Sequence, residues 1–267
     1  MDDFGKFCYL DVQKTGSTFI TALLNKASLL PLLRSDRHAP IQTYDWRCLT
    51  KSIKQRNLPS ALQRGGFYRK NVIYFNSIRH PFKYYASLYN YGCDKRGGVY
   101  LRLRKSGLDD LYDGTEKGFL DWVNFILQPE NRNFINQEYN DNCREFVGFL
   151  TYRFLRLSFV DPKQELPKIN TTNDLNRFYD KKNICVHTIR NENLRDDLIS
   201  LIDLHLAPFV DKNLAVDFLD GGRINASDAK VADAKMLINT DAGALIKERE
   251  AFIFDRFYAR EQGDCEY

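Results

Sequence analysis

The residues with the clearest chemical potential form a short loop, Gln13–Thr18, with the sequence Gln-Lys-Thr-Gly-Ser-Thr. An apolar run precedes the loop and a helical pattern follows it, which places the loop between a strand and the N-terminus of a helix. Helix N-termini carry unpaired backbone N–H groups and partial positive charge, so they bind anions well. Gly16 would let the backbone approach an anion closely, and Lys14 would add a full positive charge. The loop is therefore a candidate phosphate site, with Ser17 and Thr18 as further hydroxyl donors.

This loop differs from the two commonest phosphate-binding patterns. In nucleoside triphosphatases the lysine comes after the second glycine of a longer loop, whereas here Lys14 precedes Gly16. The loop also lacks the G-x-G-x-x-G sequence of dinucleotide-binding proteins. Taken alone, it leaves a second interpretation open, in which Ser17 caps the helix and Lys14 is a surface lysine.

A second strand–helix junction follows at Ile78–Tyr89. Arg79 lies at the predicted end of the strand, and Pro81 lies where a first helical turn would begin, a position that proline tolerates well. Ser87 comes eight residues after Arg79, about two turns into the helix. Because arginine suits bidentate contact with phosphate, Arg79 and Ser87 are a candidate second anion site. Two such sites at one sheet would fit a ligand with a phosphate at each end.

Both junctions need strands that end at one edge of a sheet. Apolar runs predict such strands at 7–12, 72–78 and 183–189. Helical periodicity predicts helices that begin at Ser17 and Pro81, and others at 45–54, 119–127, 144–154, 192–206 and 241–260. Strands that alternate with helices favour an α/β fold in three layers with a mainly parallel central sheet. The glycine-rich stretch 92–115 is predicted to be a surface excursion. Residues 92–155 are predicted to be a helical and irregular region, which is a candidate for binding an acceptor substrate.

The composition narrows the classes of protein that need be considered. The chain has 267 residues, a net charge of +4 and no low-complexity tract, which is typical of a globular protein and not of a disordered one. Nucleic-acid-binding proteins usually concentrate basic residues in a stripe, whereas the densest cluster here is Arg102, Arg104 and Lys105. We therefore expect no nucleic acid as a partner, and this cluster hints instead at an acidic acceptor.

Six cysteines are scattered along the chain without a C-x-x-C pair, which argues against a zinc site and a dense disulfide scaffold. Free thiols and no bound metal are therefore expected. Residues 1–6 lack the basic start and apolar run of a signal peptide. No apolar stretch approaches the roughly 20 residues that span a bilayer. The sequence predicts a soluble, cytoplasmic protein without a membrane span.

Together, the two junctions resemble those of the sulfotransferases that use 3′-phosphoadenosine 5′-phosphosulfate (PAPS), particularly the Golgi-type carbohydrate enzymes and their bacterial relatives. In that family a Pro-Lys-Thr-Gly-like loop binds the 5′-phosphosulfate, and the matching residues here are Lys14, Thr15, Gly16, Ser17 and Thr18. An Arg-x-Pro segment followed by a serine binds the 3′-phosphate, and the matching residues are Arg79, Pro81 and Ser87. The resemblance implies that both segments bind PAPS.

The resemblance covers most of residues 6–260 and is patchy between 92 and 180. Shorter similar segments follow in the order of the family: Arg37–Ala39, Arg190–Leu194, Arg223–Ser227 and Phe254–Tyr258. By resemblance, Arg223, Asn225 and Ser227 form a lid over the nucleotide, although a helix cap by Asn225 or Ser227 would explain the same residues. The chain departs from the family at Gln13, His80 and Lys83, where proline, asparagine and arginine are common.

The resemblance implies a single P-loop-like sulfotransferase domain, 1–267, which moves a sulfuryl group in line from PAPS to a hydroxyl and needs no metal. Lys14 would contact the bridging oxygen and the sulfonate as the bond breaks. The acceptor hydroxyl needs a general base, and His38 is the candidate because relatives place a histidine near the sulfate. His38 could equally be a structural loop residue, which leaves Asp11, Asp36 and Asp45 as possible bases. His80 is a weaker candidate for the base, because by resemblance it would lie beside the 3′-phosphate rather than the sulfate, and His187 and His205 are expected to be structural.

Other functions stay open at this point. A P-loop nucleotide kinase or hydrolase would need a Walker-type lysine and an acidic magnesium ligand, and neither occurs at the expected spacing. A non-catalytic sulfotransferase-like protein would be expected to lack donor-site residues, whereas Lys14, Arg79 and Ser87 are all present. The resemblance implies a glycan acceptor, and small-molecule alcohols and phenols are alternatives. The sequence does not reveal the oligomeric state.

Overall fold

A computed structural model describes residues 1–42, 66–221 and 231–259. The chain folds into two units, each assembled from three segments. The first unit comprises Met1–Ile78, Leu155–Glu165 and Phe178–Arg223. The second unit comprises Arg79–Phe154, Leu166–Arg177 and Ile224–Tyr267. All of the strands among the described residues belong to the first unit.

The described strands are short. Their bounds are β1 Asp2–Asp3, β2 Phe7–Leu10, β3 Arg34–Ser35, β4 Ile41–Gln42, β5 Gly66–Phe67, β6 Ile73–Ile78 and β7 Cys185–Arg190. Five of them form one mixed sheet in the order β3-β1-β2-β6-β7, while β4 and β5 form a separate parallel pair. In the larger sheet β1 runs antiparallel to both β2 and β3, and β2, β6 and β7 are mutually parallel.

The three parallel strands are those that the apolar runs predict, which confirms an α/β fold with a largely parallel sheet core. β2 is buried at every residue, as expected for a parallel strand covered on both faces. The register pairs Phe7 with Ile73 and Leu10 with Asn76. Because the strands run parallel, β2, β6 and β7 end at the same edge of the sheet, at Leu10, Ile78 and Arg190.

Helices make up most of the remaining described chain. The α-helices are α1 Ser17–Ala27, α2 Pro81–Cys93, α3 Gly98–Lys105, α4 Glu116–Leu127, α5 Arg132–Ile135, α6 Gln137–Asn142, α7 Phe149–Ser158, α8 Pro162–Glu165, α9 Thr172–Lys182, α10 Leu194–Leu201, α11 Lys212–Asp220, α12 Asp241–Arg249 and α13 Ala251–Phe257. Short 3₁₀ turns occupy Asp109–Leu111, Pro129–Asn131, Leu166–Lys168, Asn191–Asn193 and Ala234–Leu237, and a π-helical turn occupies Ile202–Leu206. No helix in the described ranges is long and apolar enough to cross a membrane.

One face of the larger sheet is covered by α1, α10 and α11. Ile20, Leu23 and Leu24 of α1 pack in the same buried cluster as Tyr9 and Phe75 of the sheet. These helix residues follow the spacing of one helical face, so the burial of that face holds α1 against the strands. The N-terminus of α1 is thereby fixed beside the carboxyl end of β2.

The other face of the sheet contains a polar contact between strands. The side-chain amide of Asn76 donates to Ser158 Oγ at 2.9 Å, and its oxygen accepts from Thr188 Oγ1 at 2.8 Å. Asn76 is fully buried. Because both polar groups of its amide are paired, its burial carries no desolvation penalty for an unmade hydrogen bond.

The C-terminal helix differs from the prediction. A single helix is predicted over 241–260, whereas the structure has two helices, α12 and α13, which meet at Glu250. The Glu250 carboxylate is fully buried and accepts hydrogen bonds from the backbone N–H groups of Leu150 and Thr151 and from the hydroxyl of Tyr85. The break directs this carboxylate to the N-terminus of α7, where unpaired N–H groups favour negative charge.

Three further predictions need correction or lie outside the described residues. The stretch 92–115 is not a surface excursion throughout, because it contains α3, whose Val99, Tyr100 and Leu103 are buried. The helix predicted at 144–154 begins at Phe149, after a turn closed by the Val147 N–H and the Arg144 carbonyl. The helix predicted at 45–54 lies outside the described residues. Residues 92–155 are otherwise helical as predicted, and their role with an acceptor stays a prediction.

Candidate active site

The loop between β2 and α1 contains two residues in left-handed backbone conformation. Lys14 has a φ of 69° and Gly16 a φ of 90°. Glycine adopts this region readily, but for a lysine it is uncommon and unfavourable. Backbone strain of this kind persists where the surrounding structure imposes it, and it clusters at ligand sites. The conformation of Lys14 therefore marks this loop as a site that the fold holds in a specific shape.

Gly16 is required for a second reason. A Cβ atom at this position would lie 2.5 Å from Oδ1 of Asn191. Asn191 is the first residue after β7, so the turn that follows the third parallel strand packs directly on the loop. A larger residue at position 16 would have to displace that side chain as well as adopt a left-handed φ.

The N-terminus of α1 is not capped by a side chain. Gly16 occupies the N-cap position, and its carbonyl accepts from the N–H groups of Phe19 and Ile20 at 3.0 and 3.1 Å. The N–H groups of Ser17 and Thr18 precede the first intrahelical bonds, and both residues are partly exposed. Ser17 is thus the first helical residue rather than the cap, and these two N–H groups lie at a helix N-terminus, where an anion is favoured.

A chain of buried hydroxyl groups supports the loop from below. Ser77 Oγ lies 2.6 Å from both Tyr9 Oη and Thr15 Oγ1, and Thr15 Oγ1 donates to the carbonyl of Val12 at 2.8 Å. Burial raises the pKa of Tyr9, so its hydroxyl stays protonated at neutral pH. The side chain of Thr15 is fully buried and engaged with Ser77 and Val12, so the contact predicted for Thr15 with an anion would be made by its backbone N–H.

His38 is held against the beginning of the same loop. Its backbone N–H donates to Asp11 Oδ1 at 2.7 Å, and its ring Nδ1 lies 2.8 Å from the backbone oxygen of Asp11. Asp11 comes three residues before Lys14 in the chain. The His38 side chain is 37% exposed, whereas that of Asp11 is 3% exposed. In the first unit the structure thus joins the predicted base to the predicted phosphate loop through Asp11.

The other proposed bases lie in different surroundings. Asp11 is too deeply buried to meet an acceptor hydroxyl, and Asp36 forms an ion pair with Arg34 at 3.0 Å. Asp45 lies outside the described residues. The ring of His187 is 6.5 Å from that of His205, and burial lowers the pKa of His187. These contacts fit the prediction that His187 and His205 are structural.

The second junction belongs to the second unit. Arg79 is half-buried directly before the N-cap residue His80, and Pro81 is the first residue of α2, as predicted. Ser87 is partly exposed, and Lys83 lies exposed one turn before it. Since residues four apart share a helix face, the Lys83 ammonium and the Ser87 hydroxyl project from the same side of α2. Lys83 therefore places a positive charge beside the partly exposed Ser87.

His80 is surrounded by aromatic rings. Its ring centroid lies 5.2 Å from that of Tyr258, 5.3 Å from Phe254 and 5.6 Å from Phe82, each in an edge-on arrangement. Burial, with a contribution from the charge of Lys83, lowers the pKa of His80 to about 4. The imidazole is therefore neutral at physiological pH and packs among these rings in the core.

Several residues of this site carry no clear signal in the sequence. Asn191 lies in a segment that resembles the sulfotransferases, but its packing on Gly16 depends on a sheet that brings distant residues together. Tyr9 and Ser77 are polar residues within apolar strands, and such buried hydroxyls usually have partners. That pattern indicates a hydrogen-bonded pair but does not identify Thr15 as the third member.

The predicted lid residues Arg223, Asn225 and Ser227 lie outside the described residues. Within the described ranges, no group of three or more histidine, cysteine or acidic side chains is placed to hold a metal ion. The four described cysteines, Cys8, Cys93, Cys143 and Cys185, are free. Comparisons with protein-family models, curated proteins and solved structures find no match to this chain.

Proposed function

We propose that the protein is a sulfotransferase that moves a sulfuryl group from PAPS to a hydroxyl group of a glycan. The observation that carries the proposal is the loop after β2, in which Lys14 and Gly16 adopt left-handed conformations before an uncapped helix N-terminus. A loop of this shape presents backbone N–H groups, hydroxyls and a lysine to one anion. The resemblance to the sulfotransferase loop supplies the identity of that anion, the 5′-phosphosulfate.

In the proposed reaction the acceptor oxygen attacks sulfur in line with the bridging oxygen. The new oxygen–sulfur bond forms as the bond between sulfur and the bridging oxygen breaks, and the electron pair leaves with adenosine 3′,5′-bisphosphate. Lys14 stabilises the charge that develops on the bridging oxygen. His38 accepts the proton of the acceptor hydroxyl. The groups that take part in this reaction are Lys14, His38, the phosphosulfate of PAPS and the hydroxyl of the acceptor.

The 3′-phosphate is assigned to Arg79 and Ser87 by resemblance. The structure supports this assignment in one respect, because Ser87 is accessible on a face of α2 that also carries the exposed Lys83. A lysine offers a single mobile charge, whereas the arginine common in the family offers a bidentate contact. Lys83 therefore contributes charge to the 3′-phosphate site rather than a fixed geometry.

We also propose that the fold is P-loop-like. Three parallel strands that end at one edge, with a phosphate-type loop after β2, fit a P-loop-like arrangement. The helical residues 92–155 are proposed to bind the acceptor. Arg102 of α3 donates to the carbonyl of Ile135 at 3.0 Å, so Arg104 and Lys105 are the better candidates for contact with an acidic glycan.

Calorimetry with the desulfonated product, adenosine 3′,5′-bisphosphate, tests the proposal without knowledge of the acceptor. We expect saturable binding, and weaker binding of adenosine 5′-monophosphate, because it lacks the 3′-phosphate. ATP with magnesium serves as the comparison ligand for a kinase or hydrolase. Folded protein that binds ATP with magnesium but not the bisphosphate would overturn the proposal.

The acceptor class is a separate question. PAPS labelled in its sulfur, offered with glycans, aliphatic alcohols and phenols in parallel, identifies the class to which the label is transferred. We expect incorporation into a glycan, with the largest signal from an acidic one. Transfer to phenols alone would keep the sulfotransferase assignment and reject the glycan.

A further inference from the structure

We propose that Asp11 is a positioning residue that holds His38 with its proton on Nδ1 and its lone pair on Nε2. This inference rests on the proposed function for its catalytic meaning, but its structural content can be tested without any nucleotide. Asp11 lies directly after β2, at the point where the sheet passes into the phosphate loop. It therefore connects a strand that is buried at every residue to the candidate base.

The proton position follows from the chemistry of the contact. The His38 Nδ1 lies 2.8 Å from the backbone oxygen of Asp11. A carbonyl oxygen only accepts hydrogen bonds, so Nδ1 must be the donor. In a neutral imidazole one nitrogen is protonated and the other is not. Nε2 is therefore the nitrogen with the free lone pair, as a general base requires.

The Asp11 side chain holds the backbone of His38 as well as its ring. His38 has a φ of 59°, a left-handed conformation that is unfavourable for a residue other than glycine. Asp11 Oδ1 accepts the His38 N–H at 2.7 Å, and Arg156 Nη1 donates to the His38 carbonyl at 2.8 Å. Hydrogen bonds on both sides of His38 thus impose the turn that brings its ring to Asp11.

The same contact serves the charged form of the ring. When the acceptor hydroxyl loses its proton to Nε2, the resulting imidazolium keeps its Nδ1–H bond to the Asp11 carbonyl. Asp11 Oδ2 lies 3.4 Å from Nδ1, close enough to stabilise the positive charge. Because Asp11 and Lys14 share one short segment, the base and the residue at the leaving oxygen are positioned by the same stretch of backbone.

Nitrogen NMR of the full-length protein labelled in its histidines reads the tautomer directly. The His38 signals are assigned by their loss in His38→Gln. We expect the Nδ1–H form to dominate at His38 in the unaltered protein. In Asp11→Ala the carboxylate anchor is gone, and we expect the Nδ1–H form to become the minor one. A dominant Nε2–H form at His38 in the unaltered protein would overturn the inference.

Asp11→Asn is the matched variant. An asparagine oxygen can still accept the His38 N–H, so we expect the Nδ1–H form to be largely retained although the negative charge is lost. Retention of this form in Asp11→Asn and its loss in Asp11→Ala identify positioning by the hydrogen bond. If Asp11→Ala fails to fold, loss of the Nδ1–H form in Asp11→Asn contradicts the hydrogen-bond role, and its retention supports that role. An Asp11→Ala protein that folds and keeps the tautomer contradicts the inference.

Calorimetry with adenosine 3′,5′-bisphosphate separates this inference from the proposed function. If the proposed function and the positioning role are both correct, the unaltered protein and Asp11→Asn bind the bisphosphate equally. The reason is that Asp11 positions the general base His38 and does not contact the nucleotide. If the unaltered protein does not bind the bisphosphate, the sulfotransferase assignment fails while the tautomer measurement still decides the role of Asp11. If it binds but His38 is in the Nε2–H form, only the positioning role is lost.

Discussion

At the first junction, Gln13–Thr18, hydrogen bonds between buried hydroxyl groups hold the backbone, whereas at the second, Arg79–Ser87, aromatic rings surround it. Both junctions connect the carboxyl end of a parallel strand to the N-terminus of a helix, through six residues at the first and two at the second. The first contains two left-handed residues, and its helix begins with small polar residues. The second has a proline at the start of its helix, and most of the residues that follow are buried.

This difference bears on how each junction would bind the proposed anion. A loop that binds through its backbone N–H groups must leave its upper surface open, so large side chains cannot pack over it. The backbone of such a loop must instead be held by contacts on its buried side, and the hydrogen bond between Ser77 and Thr15 is one of them. A junction that binds through side chains has no such restriction. His80 and Phe82 can therefore be buried while Ser87, on a different face of α2, remains partly exposed.

The largest effect should come from removing the charge at the first junction. In Lys14→Ala we expect PAPS turnover to fall on the order of 10²–10³, because a well-placed donor to the developing charge is lost. Unfolding should change little, since Lys14 is partly exposed and its left-handed φ becomes no less favourable for alanine. Single-turnover kinetics with labelled PAPS, alongside thermal unfolding, measures both.

Lys26→Ala is the matched control for Lys14→Ala. Lys26 lies exposed in the last turn of the same helix, α1, and its ammonium group is 5.6 Å from the ring centroid of Phe218. Its replacement removes the same charge from the opposite end of α1, and we expect turnover within about twofold of the unaltered protein because Lys26 is an exposed residue away from the loop. Equal losses in both variants would show that net charge, and not the loop, sustains the reaction.

At the second junction, the burial of His80 should make the free energy of unfolding depend on pH. The pKa of His80 is lowered from 6.5 to about 4 in the folded protein. Between those values the unfolded chain binds a proton that the folded chain does not, so stability falls as the pH falls. In His80→Asn, the residue common in the resembling family, this contribution disappears. We expect the loss of unfolding free energy between pH 7 and pH 4.5 to be smaller by about 2–3 kcal/mol.

Urea unfolding at the two pH values measures this difference. The variant is expected to be somewhat less stable at pH 7, because the asparagine does not replace the ring contacts with Phe82, Phe254 and Tyr258. The informative quantity is therefore the change between pH 7 and pH 4.5 within each protein. An identical pH dependence in both proteins would mean that His80 is not neutral and buried, and would remove the contrast between the two junctions.

The strands and the starts of the helices at both junctions could be predicted from the sequence. β2 and β6 are short apolar runs, and the residues that begin α1 and α2 carry local signals such as Gly16 and Pro81. These features depend on neighbouring residues only. The same local information predicts the loop as an anion site.

The features that could not be predicted depend on distant partners. Nothing near Glu250 indicates that its carboxylate accepts hydrogen bonds from the N-terminus of α7, about one hundred residues away in the chain. The sequence therefore predicts one continuous helix where the structure has two. The contact of His38 with Asp11 and that of Ser77 with Thr15 likewise join separate elements. Each long-range pair is one of many that the sequence permits, and the sheet order selects it.

The smallest expected effect concerns the support beneath the first junction. In Ser77→Ala the hydroxyls of Tyr9 and Thr15 both lose a partner at 2.6 Å. We expect unfolding free energy to fall by about 1–3 kcal/mol, because buried polar groups are left without a hydrogen bond. Affinity for adenosine 3′,5′-bisphosphate should fall a few-fold, since Thr15 then holds the loop through the Val12 carbonyl alone.

Thr15→Ser is the control for Ser77→Ala, because serine keeps the hydroxyl that bonds to Ser77 and Val12 and removes only a methyl group. Its affinity for the bisphosphate should match that of the unaltered protein, as calorimetry can establish. If Ser77→Ala is less stable but binds the nucleotide equally well, the hydroxyl chain stabilises the sheet and not the loop. The first junction would then keep its shape through Gly16 and the packing of Asn191 alone, and support from below would no longer distinguish it from the second.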